Sequence, residues 1–284
     1  MGLVSIILPT YNGSKYISEA IDSVLKQSYI DWELIVVNDC STDNVQEIVD
    51  EYIKLDSRIR LINNSDNLKL PKSLNKGFEC SKGEFLTWLS DDNYLHPDFL
   101  ITFLEEMHKS KCDFLYSDFN QIDHVGKFLR TVEVLPAERI LESNVVAASF
   151  FYTRRLYKDV GNYDSSLFLL EDYDYWIRAA RKFELRPIKK NLYSYRIHEG
   201  SLTSKKHTEI AKATILYMLE TLSENKVYFS KTQVSAGLAS TLYRAICIKS
   251  LPLTIKVAFW GAKATNGFLF YEFIKKAIRK KKVR

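Results

Sequence analysis

Two hydrophobic periods alternate along the first third of the chain, and few folds accommodate that alternation. Val4 to Leu8 is a near-continuous apolar run, as expected of a strand buried on both faces. After it, Tyr16, Ile17, Ala20, Ile21, Val24 and Leu25 recur at the spacing of one helix face. Glu33 to Val37 is a second buried run, and Ser41-Thr42-Asp43 supplies an N-cap for a helix carrying Val45, Ile48, Val49, Tyr52 and Ile53. Arg60 to Ile62, Ser73 to Cys80 and Phe85 to Leu89 read as strand, short helix and strand. Strands that alternate with amphipathic helices predict an open α/β sheet, mostly parallel, with crossover helices on its faces. From Phe114 onward the pattern loosens. Strands are expected at Phe114 to Tyr116, Val146 to Tyr152 and Leu192 to Arg196, and a helix at Tyr173 to Lys182. Beyond Ser201 the chain turns helical and basic, most clearly at Ile210 to Leu222 and Leu269 to Ile278, which places a boundary near residue 200.

The bulk properties exclude several classes. With 284 residues and 46% hydrophobic content, the chain can bury a sizeable core. Cys40, Cys80, Cys112 and Cys247 show no CxxC spacing, so neither a zinc site nor a disulfide framework is expected. The N-terminus runs into a strand without a basic and apolar leader, and no apolar run reaches the roughly 18 residues of a spanning helix; the stretch from Leu251 to Trp260 is broken by Pro252 and Lys256. A cytoplasmic protein is expected. Its net charge of +5 is uneven: residues 240–284 hold eleven Lys and Arg against Glu272 alone, so they carry +10 and the remainder −5. Leu269, Phe270, Phe273, Ile274, Ala277 and Ile278 share one helical face of this tail, opposite Lys275, Lys276 and Arg279, a pattern suited to an anionic membrane surface or to docking on the protein's own domain. The basic cluster matches no nucleic-acid motif, so no nucleic-acid partner is expected.

In open α/β sheets ligands bind at the carboxyl ends of the strands. The polar residues there are Pro9-Thr10-Tyr11-Asn12-Gly13, Asn38-Asp39 and Ser90-Asp91-Asp92-Asn93. Singly, Thr10, Asn12, Asp39 and Ser41 are ordinary turn and cap residues; together they converge on one edge. Neither a Gly-rich dinucleotide fingerprint nor a P-loop is present. The adjacent carboxylates Asp91 and Asp92 instead offer hard oxygen ligands for Mg²⁺ or Mn²⁺, which would neutralise a bound diphosphate.

Taken in order, Val4 to Gly13, Trp32 to Asp43, Gly83-Glu84-Phe85, Leu89 to Asn93, Glu171-Asp172-Tyr173-Asp174-Tyr175-Trp176 and Tyr195-Arg196-Ile197-His198 strongly resemble glycosyltransferase family 2. The resemblance covers residues 4 to about 202. It implies a GT-A fold: a nucleotide-binding open mixed sheet flanked by helices, with a C-terminal helical basic extension. Residues 1–202 would form the catalytic domain, 1–115 its nucleotide-binding half and 116–202 its acceptor-binding half, followed by 203–284. It further implies that Pro9, Thr10, Tyr11 and Asp39 hold the nucleotide, with Asp39 accepting the N3–H of uracil, that Asp91 lies near the ribose, and that Asp92 holds the metal. Asn75 belongs to a segment that faces the nucleotide, and Leu74 stands where many relatives carry an arginine, which leaves Lys72 as the substitute cation. Asp172 matches a catalytic base, and His198 a histidine that in some relatives ligates the metal or diphosphate. The QxxRW element of processive synthases is absent, implying one sugar per encounter.

These roles fit the chemistry of sugar transfer. A cation stabilises the leaving diphosphate, and a carboxylate activates the acceptor hydroxyl. One base without a carboxylate nucleophile implies a single displacement with inversion. The expected enzyme is a metal-dependent hexosyl- or N-acetylhexosaminyltransferase using Mn²⁺ or Mg²⁺. It would move a sugar from a nucleotide-diphosphate donor, by the match at Asp39 a UDP-sugar, to a glycan or lipid-linked acceptor at the inner face of the cell membrane. A sugar-1-phosphate nucleotidyltransferase would require a Gly-rich loop that is missing. A non-catalytic sugar-nucleotide-binding or scaffold subunit is the other alternative, and a turnover assay separates it. Residue by residue, Asp172 and Asp174 also suit the first turn of a helix, and Tyr173 and Trp176 read as core.

Overall fold

A computed structural model describes residues 2–224 and 228–264. They form two compact units, residues 2–135 with 146–198, and residues 136–145 with 199–264. The expected helix at Leu269 to Ile278 and its basic end lie outside the described residues.

The first unit opens with β1 (Val4–Thr10), α1 (Ile17–Leu25), β2 (Trp32–Asn38), α2 (Val45–Leu55), β3 (Ile59–Asn63), α3 (Leu70–Glu79) and β4 (Phe85–Trp88). It continues with β5 (Tyr94–Leu95), α4 (Phe99–Ser110), β6 (Phe114–Ser117), β7 (Phe119–Ile122) and β8 (Phe128–Val132). After residue 146 come β9 (Phe150–Thr153), α5 (Arg154–Val160), α6 (Glu171–Ala180), β10 (Leu185–Ile188) and β11 (Tyr193–Arg196). Seven strands in the order β10-β6-β9-β4-β1-β2-β3 make the main sheet. Strands β3, β2, β1 and β4 run parallel, while β9 is antiparallel to both β4 and β6, so the sheet is mixed. A second sheet has the order β5-β11-β7-β8.

The expected strand–helix alternation is present, and burial explains it. Every residue of β1 and β2 is buried, as central strands covered on both faces require. Helix α1 turns Ile17, Ala20, Ile21 and Val24 inward. Helix α3 lies so close to the sheet that a Cβ at Gly77 would collide with Ile7 and Val37. Local differences have local causes. Helix α3 begins at Leu70 because Pro71 sits in its first turn, where a missing N–H costs nothing. The strand expected from Val146 starts only at Phe150, after Ala147 adopts a left-handed conformation, φ 55°. The expected cap of α2 is displaced too. Asn44 occupies the cap position, and Ser41 and Thr42 bond to Asn12 instead.

In the second unit, the 3₁₀ turn Ala137–Arg139 is followed in sequence by α7 (Leu202–Lys205), α8 (His207–Glu224), α9 (Lys231–Cys247) and α10 (Leu251–Ala264). Ile215, Leu219, Leu242, Ala245 and Val257 form its core. Ser230 and Gln233 close a reciprocal capping box on α9. Ser240 Oγ donates to Glu142 O at 2.5 Å and Arg244 donates to the same carbonyl at 3.0 Å, tying residues 136–145 to this unit. No described helix is long and apolar enough to cross a membrane. All four cysteines are free.

Candidate active site at a sheet edge

The chain leaves β1 for β2 on one side and returns to β4 on the other, which makes the carboxyl ends of β1 and β4 the switch point of the sheet. Thr10 ends β1 opposite Asn38, and Asp39 N–H donates to Thr10 O at 2.9 Å, so the first two polar clusters meet. Leu89 N–H donates to Ile7 O at 2.8 Å and delivers Ser90 to Asn93 beside them. The loop after β1 is pinned: Asn12, at φ 55°, accepts from Thr42 N–H, and Ser14 N–H donates to Asp43. Gly13 is required there, because a Cβ would collide with Asp91 Oδ2 and Thr10 Oγ1.

Asp39 is buried and held rigidly. Its Oδ1 accepts from Asn64 Nδ2 and Leu68 N–H, both at 2.8 Å, and Oδ2 accepts from Lys69 N–H at 2.9 Å. A carboxylate offers about four acceptor positions, so one position on Oδ2 remains for a ligand N–H. Lys69 reaches this geometry at φ 72°, a left-handed conformation that a non-glycine residue adopts at some cost. Asn64 is itself fixed by Lys76 Nζ at 2.7 Å and donates to Ser73 Oγ at 2.9 Å.

The other residues expected at the nucleotide divide by position. Thr10 is buried and Tyr11 is 52% exposed, so its ring is available to a base. Pro9 is a buried strand residue opposite Val37. Lys72 is exposed on α3. Asn75 spends its amide on the backbone of Tyr163, donating to O and accepting from N–H, each at 2.8 Å.

Asp91 and Asp92 are in different environments. Thr10 Oγ1 donates to Asp91 Oδ2 at 2.5 Å. The Asp91 carboxyl is nevertheless pushed up to about 7, first by burial and then by the charges of Asp92 and Asp43, against the hydrogen bonds from Thr10 and Tyr11 N–H. Asp92 Oδ2 lies 3.0 Å from His198 Nε2. That separation equals the spacing of two neighbouring ligands on an octahedral ion with bonds of about 2.1 Å. Among the described residues no group of three or more His, Cys, Asp or Glu could hold a metal. The donor set therefore fits a divalent cation that takes two protein ligands and completes its shell with phosphate oxygens and water.

Arg196 organises this corner. Only 1% exposed, it donates from Nε to Asp92 O at 2.8 Å and from one terminal nitrogen to Glu19 at 2.7 Å, while the other faces the Asp123 and His124 carbonyls at 3.4 Å. Its guanidinium lies 4.5 Å from the centre of the Tyr16 ring, which packs edge-on to His198. Arg196 lies in the Tyr195-Arg196-Ile197-His198 motif, and its role emerges only from these contacts.

Helix α6 presents the last candidates. Glu171 is 4% exposed and accepts from Leu169 N–H at 2.7 Å, with Leu169 at φ 81°. Burial, then the charge of Asp172, push the Glu171 carboxyl up to about 8, against the backbone hydrogen bonds around it. Asp172 is partly exposed and accepts from Tyr173 N–H at 2.6 Å. Asp174 is buried and pairs with Arg178 at 2.7 Å, and Arg178 also donates to Val160 O and Asn162 O. Tyr173 and Trp176 are core, as expected. Trp176 packs on Phe150 at 4.5 Å and Phe150 on Trp88 at 5.5 Å, so aromatic stacking joins α6 to the strand that delivers Asp91.

Known proteins resemble this chain in sequence and in fold. The glycosyl transferase family 2 model matches residues 5–169. An uncharacterized glycosyltransferase of Rickettsia felis is 29% identical over 86% of this chain and 44% of its own length, so the chain spans less than half of that relative. A putative teichuronic acid biosynthesis glycosyltransferase of Bacillus subtilis is 28% identical over 76% of this chain and 87% of its own. Among solved structures, residues 1–349 of S. aureus TarS in complex with UDP-GlcNAc superpose with a TM-score of 0.69 at 20% identity, covering 92% of this chain and 81% of that one. A mannosyltransferase from Pyrobaculum calidifontis in complex with GDP-Man and Mn²⁺ superposes with a TM-score of 0.65 at 14% identity, covering 97% and 86%. These structures share the GT-A fold seen here. Strand order, the polar edge at the switch point and the match over more than half of the chain lead to one assignment: the chain belongs to glycosyl transferase family 2.

Proposed function

We propose that this glycosyltransferase moves a single sugar, with inversion, from a UDP-sugar to a hydroxyl of a glycan or lipid-linked acceptor during assembly of a surface polysaccharide or glycolipid. The observation that carries the reading is the convergence of Asp39, Asp91 and the Asp92–His198 pair on the switch point of the sheet. The remaining acceptor position on Asp39 suits the N3–H of uracil, Tyr11 covers the base, and Asp91 and Thr10 face the ribose. UDP-GlcNAc in the TarS complex supports a uridine donor, whereas GDP-Man in the mannosyltransferase is the competing case. Teichuronic acid biosynthesis in the name of the Bacillus relative supports a cell-surface product.

Asp92 and His198 would hold Mn²⁺ or Mg²⁺, which when bound supplies Lewis-acid stabilisation of the departing diphosphate. Asp172 takes the acceptor proton as the acceptor oxygen bonds to the anomeric carbon and the bond to the diphosphate breaks, releasing the nucleoside diphosphate. General-base assistance of this kind contributes about 10²–10⁴ in rate. Burial, then the neighbouring Asp172, push the Glu171 carboxyl up to about 8, which leaves Glu171 largely neutral near pH 7. We place the enzyme peripherally at the inner face of the cell membrane, where a lipid-linked acceptor would be presented. The test is turnover of UDP-, GDP- and dTDP-sugars with Mn²⁺ and with excess chelator. Metal-dependent hydrolysis or transfer from UDP-sugars is expected. Binding without turnover of any donor would overturn the enzyme reading in favour of a scaffold subunit.

A further inference from the structure

Helix α10 carries its apolar residues on two faces. Leu253, Val257 and Ala258 pack against the core of the second unit. Leu251, Ile255 and Phe259 point the other way and are 69%, 59% and 75% exposed. At 100° per residue these three lie within about 80° of one another, along about 12 Å of helix, with Pro252 and Lys256, also exposed, continuing the same side. Large apolar side chains in a contiguous exposed row mark a contact surface rather than scattered surface hydrophobics. Lys249 and Lys256 flank them in sequence, and the charge of the surrounding segment narrows the partner. Residues 228–264 contain Lys231, Arg244, Lys249, Lys256 and Lys263 and no Asp or Glu.

We propose that the outer face of α10, formed by Leu251, Ile255 and Phe259 beside Lys249 and Lys256, is the surface through which this protein docks on an anionic lipid bilayer. A helix lying in the interface buries its apolar residues about 5–10 Å into the headgroup boundary, while flanking lysines meet anionic headgroups. A row of three side chains suits that shallow burial. A second copy presenting the same face would set like charges against each other, which disfavours symmetric pairing through α10. The proposal rests on the membrane reading above but does not use residues 268–284, the segment that the sequence alone suggested.

The experiment is cosedimentation of the full-length chain with phosphatidylcholine vesicles, with and without phosphatidylglycerol. It compares the wild type with the triple variant Leu251→Ser, Ile255→Ser, Phe259→Ser and with the double variant Lys249→Gln, Lys256→Gln. Wild-type binding that requires phosphatidylglycerol is expected, weakened at least about tenfold by the triple variant, a change of about 1.4 kcal/mol. The double variant should also bind more weakly, and this keeps the test decisive if the triple variant misfolds. Donor turnover in solution should be unchanged. Wild type that binds vesicles while both variants bind equally well would overturn the α10 assignment and leave the membrane reading standing. Wild type that ignores anionic vesicles would overturn both. A wild-type dimer that the triple variant converts to monomer, with vesicle binding unaltered, would assign the face to a second copy and overturn the proposal.

Discussion

Glu171→Gln separates the roles of the two carboxyls that open α6. In the folded protein burial, then the neighbouring Asp172, push the Glu171 carboxyl up to about 8, against 4.5 for an ordinary glutamate. Between those values the folded state keeps a proton that the unfolded state has released, so stability falls as pH rises through this window. The slope is about 1.4 kcal/mol per pH unit, and between about pH 5.5 and about pH 7.5 the wild type should lose about 3 kcal/mol through this group. Gln carries no such proton and imitates the neutral acid in shape, so the variant should be flatter by that amount. The contribution of Asp91, also raised, is present in both proteins and cancels. Urea denaturation of both proteins at the two pH values measures the difference. Turnover supplies the second readout. Near pH 7 Glu171 is mostly neutral, so Glu171→Gln should cost at most a few-fold in kcat, whereas Asp172→Asn should cost at least about 10²-fold with UDP and metal binding nearly unchanged. Parallel pH slopes would refute the proton assignment. An inactive Glu171→Gln beside an active Asp172→Asn would make Glu171 the base.

Four further outcomes are expected. UDP should bind at least about tenfold more tightly than GDP, and Asp39→Asn should erase the preference, because only the carboxylate can accept a base N–H without offering a competing donor; equal or reversed affinities by calorimetry would remove that role. Asp92→Ala should abolish metal-dependent donor binding while the fold persists, and wild-type activity in excess chelator would count against it. Arg196→Lys should weaken Mn²⁺ binding about 10–100-fold, the usual loss when a group that orients a metal ligand is changed, because a lysine cannot reach Asp92 O, Glu19 and the 123–124 carbonyls together; an unchanged Mn²⁺ titration would show that Arg196 only stabilises the fold. Asp174→Asn should lower stability through the broken Arg178 pair rather than abolish turnover; loss of kcat at unchanged stability would point instead to a direct part in the reaction.

The strand–helix order of residues 4–89 was legible because its signals are local. A run such as Val4 to Leu8 and a face such as Ile17, Ala20, Ile21 and Val24 declare themselves within a few residues, and a strand's end points to the sheet edge where ligands bind. Thr10, Asp39, Asp91 and Asp92 follow such strand ends, and the fold gathers them at one edge of the sheet. What tertiary structure decided depends on partners far away in sequence. Asn75, expected at the nucleotide, has its amide held by the backbone of Tyr163, 88 residues on. Arg196 became the anchor of the Asp92 loop through a contact that spans 104 residues. The raised titration of Glu171 arises from burial, which no spacing encodes. The same holds for α10, since spacing alone does not tell that Leu251, Ile255 and Phe259 lie on the exposed side while the core is on the other side of the helix. Periodicity records that a face is apolar; only the folded chain determines what, if anything, covers it.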